Sequence, residues 1–341
     1  MKRFITVLTL VVSIIGNAQD VHFSQMEFAP LTLNPGLAGA NYDLQANVNY
    51  RTQWNSVAEP FNTMAFSGDV RLNPNKRNKK GHLALGVSFF NDQAGSAKMT
   101  TNNANIYLAY HVMLDKEHTL GGGVYTGFGQ RSLNASSGTW GNQYDGTTYN
   151  SSLATGENFF TQQFTHFDAG AGLVYTYQQE AFGRQIFQNR INGGIAMYHL
   201  NRPGYSFINK ADEKLYMRFS AFANGLIGIG DSKIAAEPGV YFQLQGPARE
   251  LMFGSYLRYQ IQEASKRTSN MKEMSAAIGL FYRNRDALIA KAMFQWDGLA
   301  IGCAYDFNTS ALSAISRARG GVEFFLSWTM KEPFSMNRSR I

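Results

Sequence analysis

The sequence predicts an all-β protein, a transmembrane antiparallel up-and-down β-barrel of about 14 strands. Apolar and polar side chains alternate with period two along most of the chain, as in strands with one polar face. The alternating stretches are long, and charged residues make up only 16% of the 341 residues, against about 25% in soluble domains. Beyond residue 18, no stretch approaches the roughly 18 uncharged apolar residues of a membrane helix.

The first 18 residues have the pattern of a secretory signal peptide. Lys2 and Arg3 precede an apolar core from Phe4 to Ile15, and small residues follow at Gly16 and Ala18. This order predicts cleavage after Ala18 and export. Loss of Lys2 and Arg3 lowers the formal net charge from +7 to +5. An exported chain without a basic, aromatic-rich helix is not expected to bind nucleic acid, so anionic lipid or acidic protein loops are the expected partners.

Clear alternation is found at both ends of the predicted barrel, residues 43–330. From Leu44 to Arg51 every second residue is apolar, and the same holds from Val322 to Thr329. Most stretches reach the roughly 9–11 residues that a tilted membrane strand needs. The predicted strands are 43–52, 61–71, 81–91, 100–112, 118–131, 164–177, 188–199, 214–227, 239–246, 250–261, 273–283, 287–296, 299–308 and 320–330.

A soluble sandwich or propeller is the alternative β fold. The polar face of a sandwich would be rich in Lys and Glu, whereas here it carries Gly, Ala, Ser, Asn, Gln and Tyr. No internal repeat of propeller length is visible. Both observations favour a crowded barrel lumen.

The connections predict a direction through the membrane. With a periplasmic N-terminus, the long connections 132–163, 200–213, 309–319 and 54–60 lie outside, and the short turns 115–117, 228–233 and 297–298 lie in the periplasm. Long outer loops and short periplasmic turns are typical of such barrels. The basic run Asn73–Lys80 is then a solvated periplasmic turn, with docking of a partner as the alternative interpretation.

Two segments flank the barrel. Residues 19–42 contain Pro30 and Pro35, which argue against a strand, and they are predicted to enter the lumen or lie under the periplasmic rim. Within this segment, lumen or periplasmic contacts are expected from Phe23, Gln25 and Met26. Residues 331–341 form a basic periplasmic tail.

The sequence contains no clear catalytic, metal-binding or phosphate-binding motif, so we expect neither an enzyme nor a bound cofactor. The six histidines form no His-Glu-x-x-His pattern, and the single cysteine, Cys303, sits within a strand pattern. Gly121-Gly122-Gly123 lacks the Gly-Lys-Ser/Thr of a phosphate loop and indicates a strand with close packing. His166 and Asp168 beside a serine-rich loop only weakly resemble a hydrolase site.

Several blocks resemble a known family. They include Gln19-Asp20-Val21-His22-Phe23-Ser24-Gln25, Leu33-Asn34-Pro35-Gly36-Leu37-Ala38-Gly39, Asn49-Tyr50-Arg51-Thr52-Gln53-Trp54, Tyr198-His199-Leu200-Asn201-Arg202-Pro203 and Tyr305-Asp306-Phe307-Asn308-Thr309-Ser310. In this order they are similar to the PorP/SprF family of outer-membrane proteins, although Val21 and Gly36 stand where proline and alanine are more usual.

The resemblance implies an integral outer-membrane component of type IX secretion, a route tied to gliding motility. Some members are thought to hold secreted adhesins by their C-terminal domain, and others to contact the periplasmic secretion machinery. Since Trp, Tyr and Arg dominate interface hot spots, the outer contacts with the adhesin are expected from Trp54, Tyr144, His199, Arg202, Tyr205 and Phe207. The alternative is a porin or small-solute transporter, but the inward face has many Tyr, Gln and Asn and few charges, which favours a filled lumen.

Overall fold

In the computed structural model, fourteen antiparallel strands close into one barrel in which each strand pairs with its sequence neighbours and the first pairs with the last. The structure describes residues 20–54, 59–72, 80–134, 137–156, 162–179, 186–207, 213–263, 272–310 and 313–330. The predicted signal peptide, nearly all of the basic run at 73–80 and the basic tail lie outside these ranges.

The predicted strand count is confirmed. The strands are β1 Leu44–Gln53, β2 Phe61–Leu72, β3 Gly81–Ala94, β4 Met99–Met113, β5 His118–Ser132, β6 Gln163–Gln178, β7 Arg190–Tyr198, β8 Arg218–Gly228, β9 Ile234–Gln245, β10 Ala248–Gln262, β11 Met274–Arg283, β12 Ala287–Trp296, β13 Leu299–Asn308 and β14 Arg319–Met330. Short helical turns lie outside the strands at Met26–Phe28, Pro30–Leu33, Pro35–Leu37, Gly141–Gln143 and Ser313–Ser316.

The polar face of the strands points inward and the apolar face points outward. In β1, Gln45, Asn47, Asn49 and Arg51 are buried, while the alternate residue Tyr50 is exposed. This is the reverse of a soluble sheet and matches a barrel in lipid, whose outer band is apolar. Exposed apolar residues of this band include Met64, Phe66, Leu85, Val87, Ile106, Leu108, Ile278 and Leu280. No helix in the described part of the chain is long and apolar enough to cross a membrane.

The two rims of the barrel differ. The terminal rim holds the barrel's chain ends at Leu44 and Met330, and the loop rim lies opposite. The two longest connections, 133–162 and 199–217, both lie at the loop rim, whereas the longest at the terminal rim, 179–189 and 263–273, have eleven residues each. Each rim also has a two-residue turn, 246–247 and 297–298. Exposed aromatic residues encircle the terminal rim, as in the girdle at a membrane interface: Tyr110, Tyr175, Tyr259, Trp296 and Trp328.

Two predicted strand starts differ from the structure by four or five residues. β9 begins at Ile234 and passes through Pro238, which pairs with Ser255 of β10. Proline lacks an N–H, and the β8–β9 pairing is interrupted beside it, between Asn224↔Gly239 and Ile227↔Ala236.

β8 begins four residues later than the predicted 214, because the residues before it pair within the loop. The bridge Gly204↔Lys214 and the bond from Leu215 N to Pro203 O hold these residues.

Candidate functional site

The N-terminal segment Asp20–Asp43 fills much of the lumen, and we call it the plug. At the loop rim, Asp20 N donates to Gln245 Oε1 at 2.9 Å. At the terminal rim, Asp43 N donates to Met330 O at 3.2 Å. The plug therefore runs along the barrel axis, and its first described residue lies near the loop rim. Phe23, Gln25 and Met26 are all buried inside the lumen.

Near the loop rim the plug is bound by a network of buried charges. Arg51 Nη2 lies 2.8 Å from Asp306 Oδ2, and Arg51 Nη1 lies 3.0 Å from Glu323 Oε2. Ser24 Oγ donates to the Asp306 carboxylate at 2.7 Å, and Arg283 Nη2 donates to Ser24 Oγ at 2.6 Å. All five side chains are nearly fully buried, so each charge depends on these partners.

The plug backbone also contacts this network. Ser24 N donates to Glu323 Oε2 at 2.7 Å and Gln25 N donates to Glu323 Oε1 at 3.1 Å. Since backbone N–H groups buried without partners are costly, one carboxylate both stabilises the plug and neutralises Arg51.

A second buried ion pair lies deeper. Lys291 Nζ contacts Glu27 Oε1 at 2.8 Å and sits 3.7 Å from the ring centre of Phe281. The ring face adds a cation–π attraction to the ion pair. The expectation of few lumen charges was therefore incomplete, because the lumen holds several charges that are paired.

The Asn34-Pro35-Gly36 turn packs on a glycine surface of β5, β6 and β7. A Cβ placed on Gly123 would lie 2.5 Å from Pro35 O, and one on Gly172 would lie 2.2 Å from Asn34 Oδ1. Asn34 Nδ2 donates to the carbonyls of Leu173 and Ile195 at 3.1 and 2.9 Å. The close packing predicted for the glycine run is therefore observed, against the plug.

At the terminal rim the plug is held by β2, β3 and β4. Gly39 N donates to Asp69 Oδ2 at 2.7 Å, and Arg71 Nε donates to Gly39 O at 2.6 Å. The stacked rings of His82 and His111 contact Gly39 O and Ala38 O at 3.0 and 2.7 Å.

His199 ties the plug to the connection that follows β7. Its Nε2 lies 2.6 Å from Asp20 Oδ2 and its Nδ1 lies 2.9 Å from Asp168 Oδ2. Burial acts to lower the pKa of His199, but the two carboxylates overcome this and raise it to about 9. Burial likewise acts to raise the pKa of Asp20, but His199 and Arg218 hold it well below its usual range. Both groups are thus charged at neutral pH.

The first described part of the connection after β7, residues 199–207, folds back over the lumen. Tyr205 and Phe207 pack edge-on against Phe164 at 5.3 and 5.0 Å between ring centres, and Tyr205 also contacts His166. Arg131 stacks 4.7 Å from the centre of the Tyr205 ring. Phe164 and His166 belong to the inward face of β6, so these two loop aromatics help to cover the mouth of the barrel.

The six residues predicted as outer contacts therefore differ in how exposed they are. Tyr144 and Arg202 are exposed at the loop rim, with Tyr144 at 58%. Trp54 is half-buried and packs on Phe61 at 4.7 Å. Tyr205 and Phe207 are half-buried. His199 lies between two carboxylates and is only 4% exposed. His199 thus holds the plug and does not lie on the outer surface.

The buried charges were missed as site residues, although the sequence carries a signal for them. Each stands on the polar face of a predicted strand: Lys291, Asp306 and Glu323 lie between apolar neighbours, and Arg51 follows Tyr50. Their signs balance, which indicates mutual pairing, but nothing in the sequence says that Ser24 lies between them.

Asp168 has structural partners in the described residues, and metal-ligating side chains do not cluster there. Asp168, part of the weak hydrolase resemblance, accepts a hydrogen bond from Tyr125 at 2.7 Å and pairs with His199. Within the described ranges, no group of three or more His, Cys, Asp and Glu side chains is placed to hold a metal ion.

A closed membrane barrel with an internal plug leaves its biological setting open, and comparison with known families decides it. Residues 15–328 match the family described as type IX secretion system membrane protein PorP/SprF. The chain belongs to the PorP/SprF family. This PorP/SprF protein is an outer-membrane β-barrel of type IX secretion. No curated protein matches the chain.

Solved structures similar to this PorP/SprF protein are distant. BamA from Haemophilus ducreyi lacking POTRA domains 1–3 is 10% identical with a TM-score of 0.40, covering 85% of this chain and 71% of that one. CdiB from Escherichia coli is 11% identical with a TM-score of 0.42, covering 85% and 63%. The translocator domain of NalP from Neisseria meningitidis is 10% identical with a TM-score of 0.33, covering 90% and 96%.

Proposed function

We propose that this barrel retains a secreted adhesin at the cell surface by binding the adhesin's C-terminal domain at the loop rim, in support of gliding motility. The observation that carries the proposal is the combination of a plugged lumen with two long connections at one rim. A barrel filled by Asp20–Asp43 is suited to be a fixed platform. The surface left for contact outside the cell is then the loop rim.

The connection 133–162 offers the more exposed part of that surface. A small hairpin, with the bridge Tyr144↔Tyr149, presents Tyr144 at 58%, Tyr149 at 48% and Leu153 at 39% exposure. Exposed aromatic side chains held on an ordered loop are typical of protein-binding surfaces, because they bury a large area at little entropic cost. Arg202 adds an exposed positive charge on the neighbouring loop.

The alternative is a channel for small solutes. A channel needs a continuous water-filled path, and the plug donates hydrogen bonds to strands on several sides of the lumen. The ion pairs of Arg51 and Lys291 join inward side chains to one another and to the plug, so they do not form an open charged ring. These contacts weigh against a steady pore.

The experiment changes exposed residues only, so that folding and binding are not confused. Tyr144→Ala with Arg202→Ala should lower the amount of adhesin retained on cells at least tenfold, since two hot-spot losses of about 1–2 kcal/mol each suffice. Trp54, Tyr205 and Phe207 are unsuitable, because each packs against the barrel.

The matched control is Asp231→Ala with Lys233→Ala, two exposed residues of the terminal-rim turn. Equal barrel levels in both strains make the comparison fair. If adhesin retention and gliding are the same in the loop-rim variant and the control, this loop surface does not hold the adhesin.

A further inference from the structure

Beneath the plug lies a cavity of about 430 Å³ that reaches the terminal rim. Its roof is formed by plug residues that include Met26, Phe28 and Leu33. Its walls come from β1 and from β6 to β14, and Gly298 and Thr329 line it at the terminal rim itself. Since the long loops place the opposite rim outside the cell, this cavity faces the periplasm.

The lining divides into an apolar roof and an amide-rich collar. Phe28, Phe281 and Met293 supply apolar surface around the roof, while Asn192, Asn224 and other amides ring the lower walls. Pockets that bind specific ligands combine such apolar walls with a few placed polar groups. This volume lies in the usual range of about 300–1,000 Å³.

Two amide oxygens in the collar have no hydrogen-bond partner among the residues that the structure describes. These are Asn41 Oδ1 and Asn192 Oδ1, both buried atoms. Asn192 is 4% exposed, and its Nδ2 already donates to Asn224 Oδ1 at 3.2 Å. Buried acceptors are costly when unpaired, so the cavity is shaped for a ligand that supplies N–H or O–H donors.

The two cationic side chains of the lining already have partners. Arg258 pairs with Glu237, and Arg190 stacks 5.4 Å from the ring centre of Tyr42. An anionic ligand would therefore find its cations occupied. A lipid chain would fill the roof but leave the two amide oxygens unpaired. An extended polypeptide supplies both a regular series of N–H donors and apolar side chains.

We propose that this cavity binds an extended segment of a periplasmic protein, which inserts an apolar side chain under the plug. The N–H groups of the segment bond to Asn41 and Asn192, and the side chain packs below Phe28. The inference is independent of adhesin binding at the loop rim, because it concerns the opposite end of the barrel.

The test places a benzophenone amino acid at position 295 in living cells, with the same amino acid at position 294 as the control. Gln295 lines the cavity, whereas Phe294 faces lipid at 39% exposure. Irradiation should give a polypeptide crosslink at 295 that is absent at 294. A crosslink at 295 to lipid or glycan alone, or none, would overturn the proposal.

The crosslinked segment, made as a synthetic peptide, should then bind the purified barrel. Asn192→Leu should weaken that binding about two- to tenfold, the value of one hydrogen bond. Asn105→Leu, which changes a lumen amide outside the cavity, should leave it unchanged. Heat-modifiable migration reports folding, and Asn41→Leu replaces Asn192→Leu if the latter does not fold. Equal binding by the folded cavity variant and the control contradicts the proposal.

Discussion

Arg51 on the first strand and Glu323 on the last strand lie directly opposite each other in the barrel, and their side chains form an ion pair of 3.0 Å. The pair thus sits on the seam where the chain closes on itself. Ser24 and Gln25 of the plug donate to the same carboxylate. The contact that joins the two ends of the barrel is therefore also the contact that holds the plug.

Because Arg51 lies at this seam, we expect Arg51→Ala to lower the free energy of unfolding strongly. Glu323 would lose its guanidinium partner while remaining buried, and Asp306 would keep only Arg283, at 3.2 Å. Breaking a buried pair typically costs about 3–5 kcal/mol. Urea unfolding of the purified barrel measures the free energy of unfolding. Arg249→Ala, at an exposed site, should change it by less than about 0.5 kcal/mol. Equal effects of the two substitutions would refute the role of the seam.

Adjacent glycines on opposite faces of β5 provide a matched test of plug packing. Gly123→Val would collide with Pro35 O, whereas a Cβ at Gly122 meets only Leu173, at 3.4 Å. Ala29 of the plug is only 2% exposed. In a Cys303→Ser background, Ala29→Cys should therefore react with maleimide when Gly123→Val is present. It should stay protected when Gly122→Val is present instead. Protection in both variants would show that the plug tolerates the collision.

The Asp20–His199 contact should stabilise the protein most strongly within a limited range of pH. The raised pKa of His199 means that its stabilising effect is complete below the unfolded value of 6.5 and is lost as pH rises through about 9. The lowered pKa of Asp20 means that its effect is present above 3.8 and is lost at lower pH. A double-mutant cycle of Asp20→Asn and His199→Gln should give its largest coupling energy between about pH 4 and 6.5.

The neutral pair Ser88 and Asn105, joined by a 3.3 Å hydrogen bond, is the control for that cycle. Its coupling energy should not vary with pH. A coupling energy between Asp20 and His199 that stays constant from pH 6 to pH 10 would argue against a charged contact.

Cys303 tests which face of the barrel meets lipid. It is exposed on the outer face of β13, beside Ile301. Because maleimide reacts with a hydrated thiolate, Cys303 should remain unlabelled in native membranes and become labelled after heating in detergent. A cysteine at the exposed turn position Asp231, on a Cys303→Ser background, should be labelled in both conditions. Labelling of Cys303 in native membranes would contradict its position in the lipid band.

The fold was predictable because each strand carries a local signal. Alternation in β12 and β13 predicted their bounds correctly, at 287–296 and 299–308. The start of β9 was missed, since Pro238 normally ends a strand and only the neighbouring interruption in the ladder allows it here.

The interior was less predictable, because it depends on contacts between residues far apart in the chain. Asn34-Pro35-Gly36 reads locally as a turn, and its fit against Gly123 and Gly172 follows only from the closed barrel. His199 was expected among the outer contacts, yet Asp20, distant in the chain, pairs with it inside the barrel. Local pattern alone contains no information about such a pairing.

Single-channel recording in a planar bilayer tests the central claim, a plugged platform, most directly. The native barrel should show no steady conductance, because Asp20–Asp43 fills the lumen and is bonded to strands around it. A variant that lacks residues 20–40 should open a stable pore if it folds, as judged by heat-modifiable migration. A steady open pore in the native protein would contradict the account.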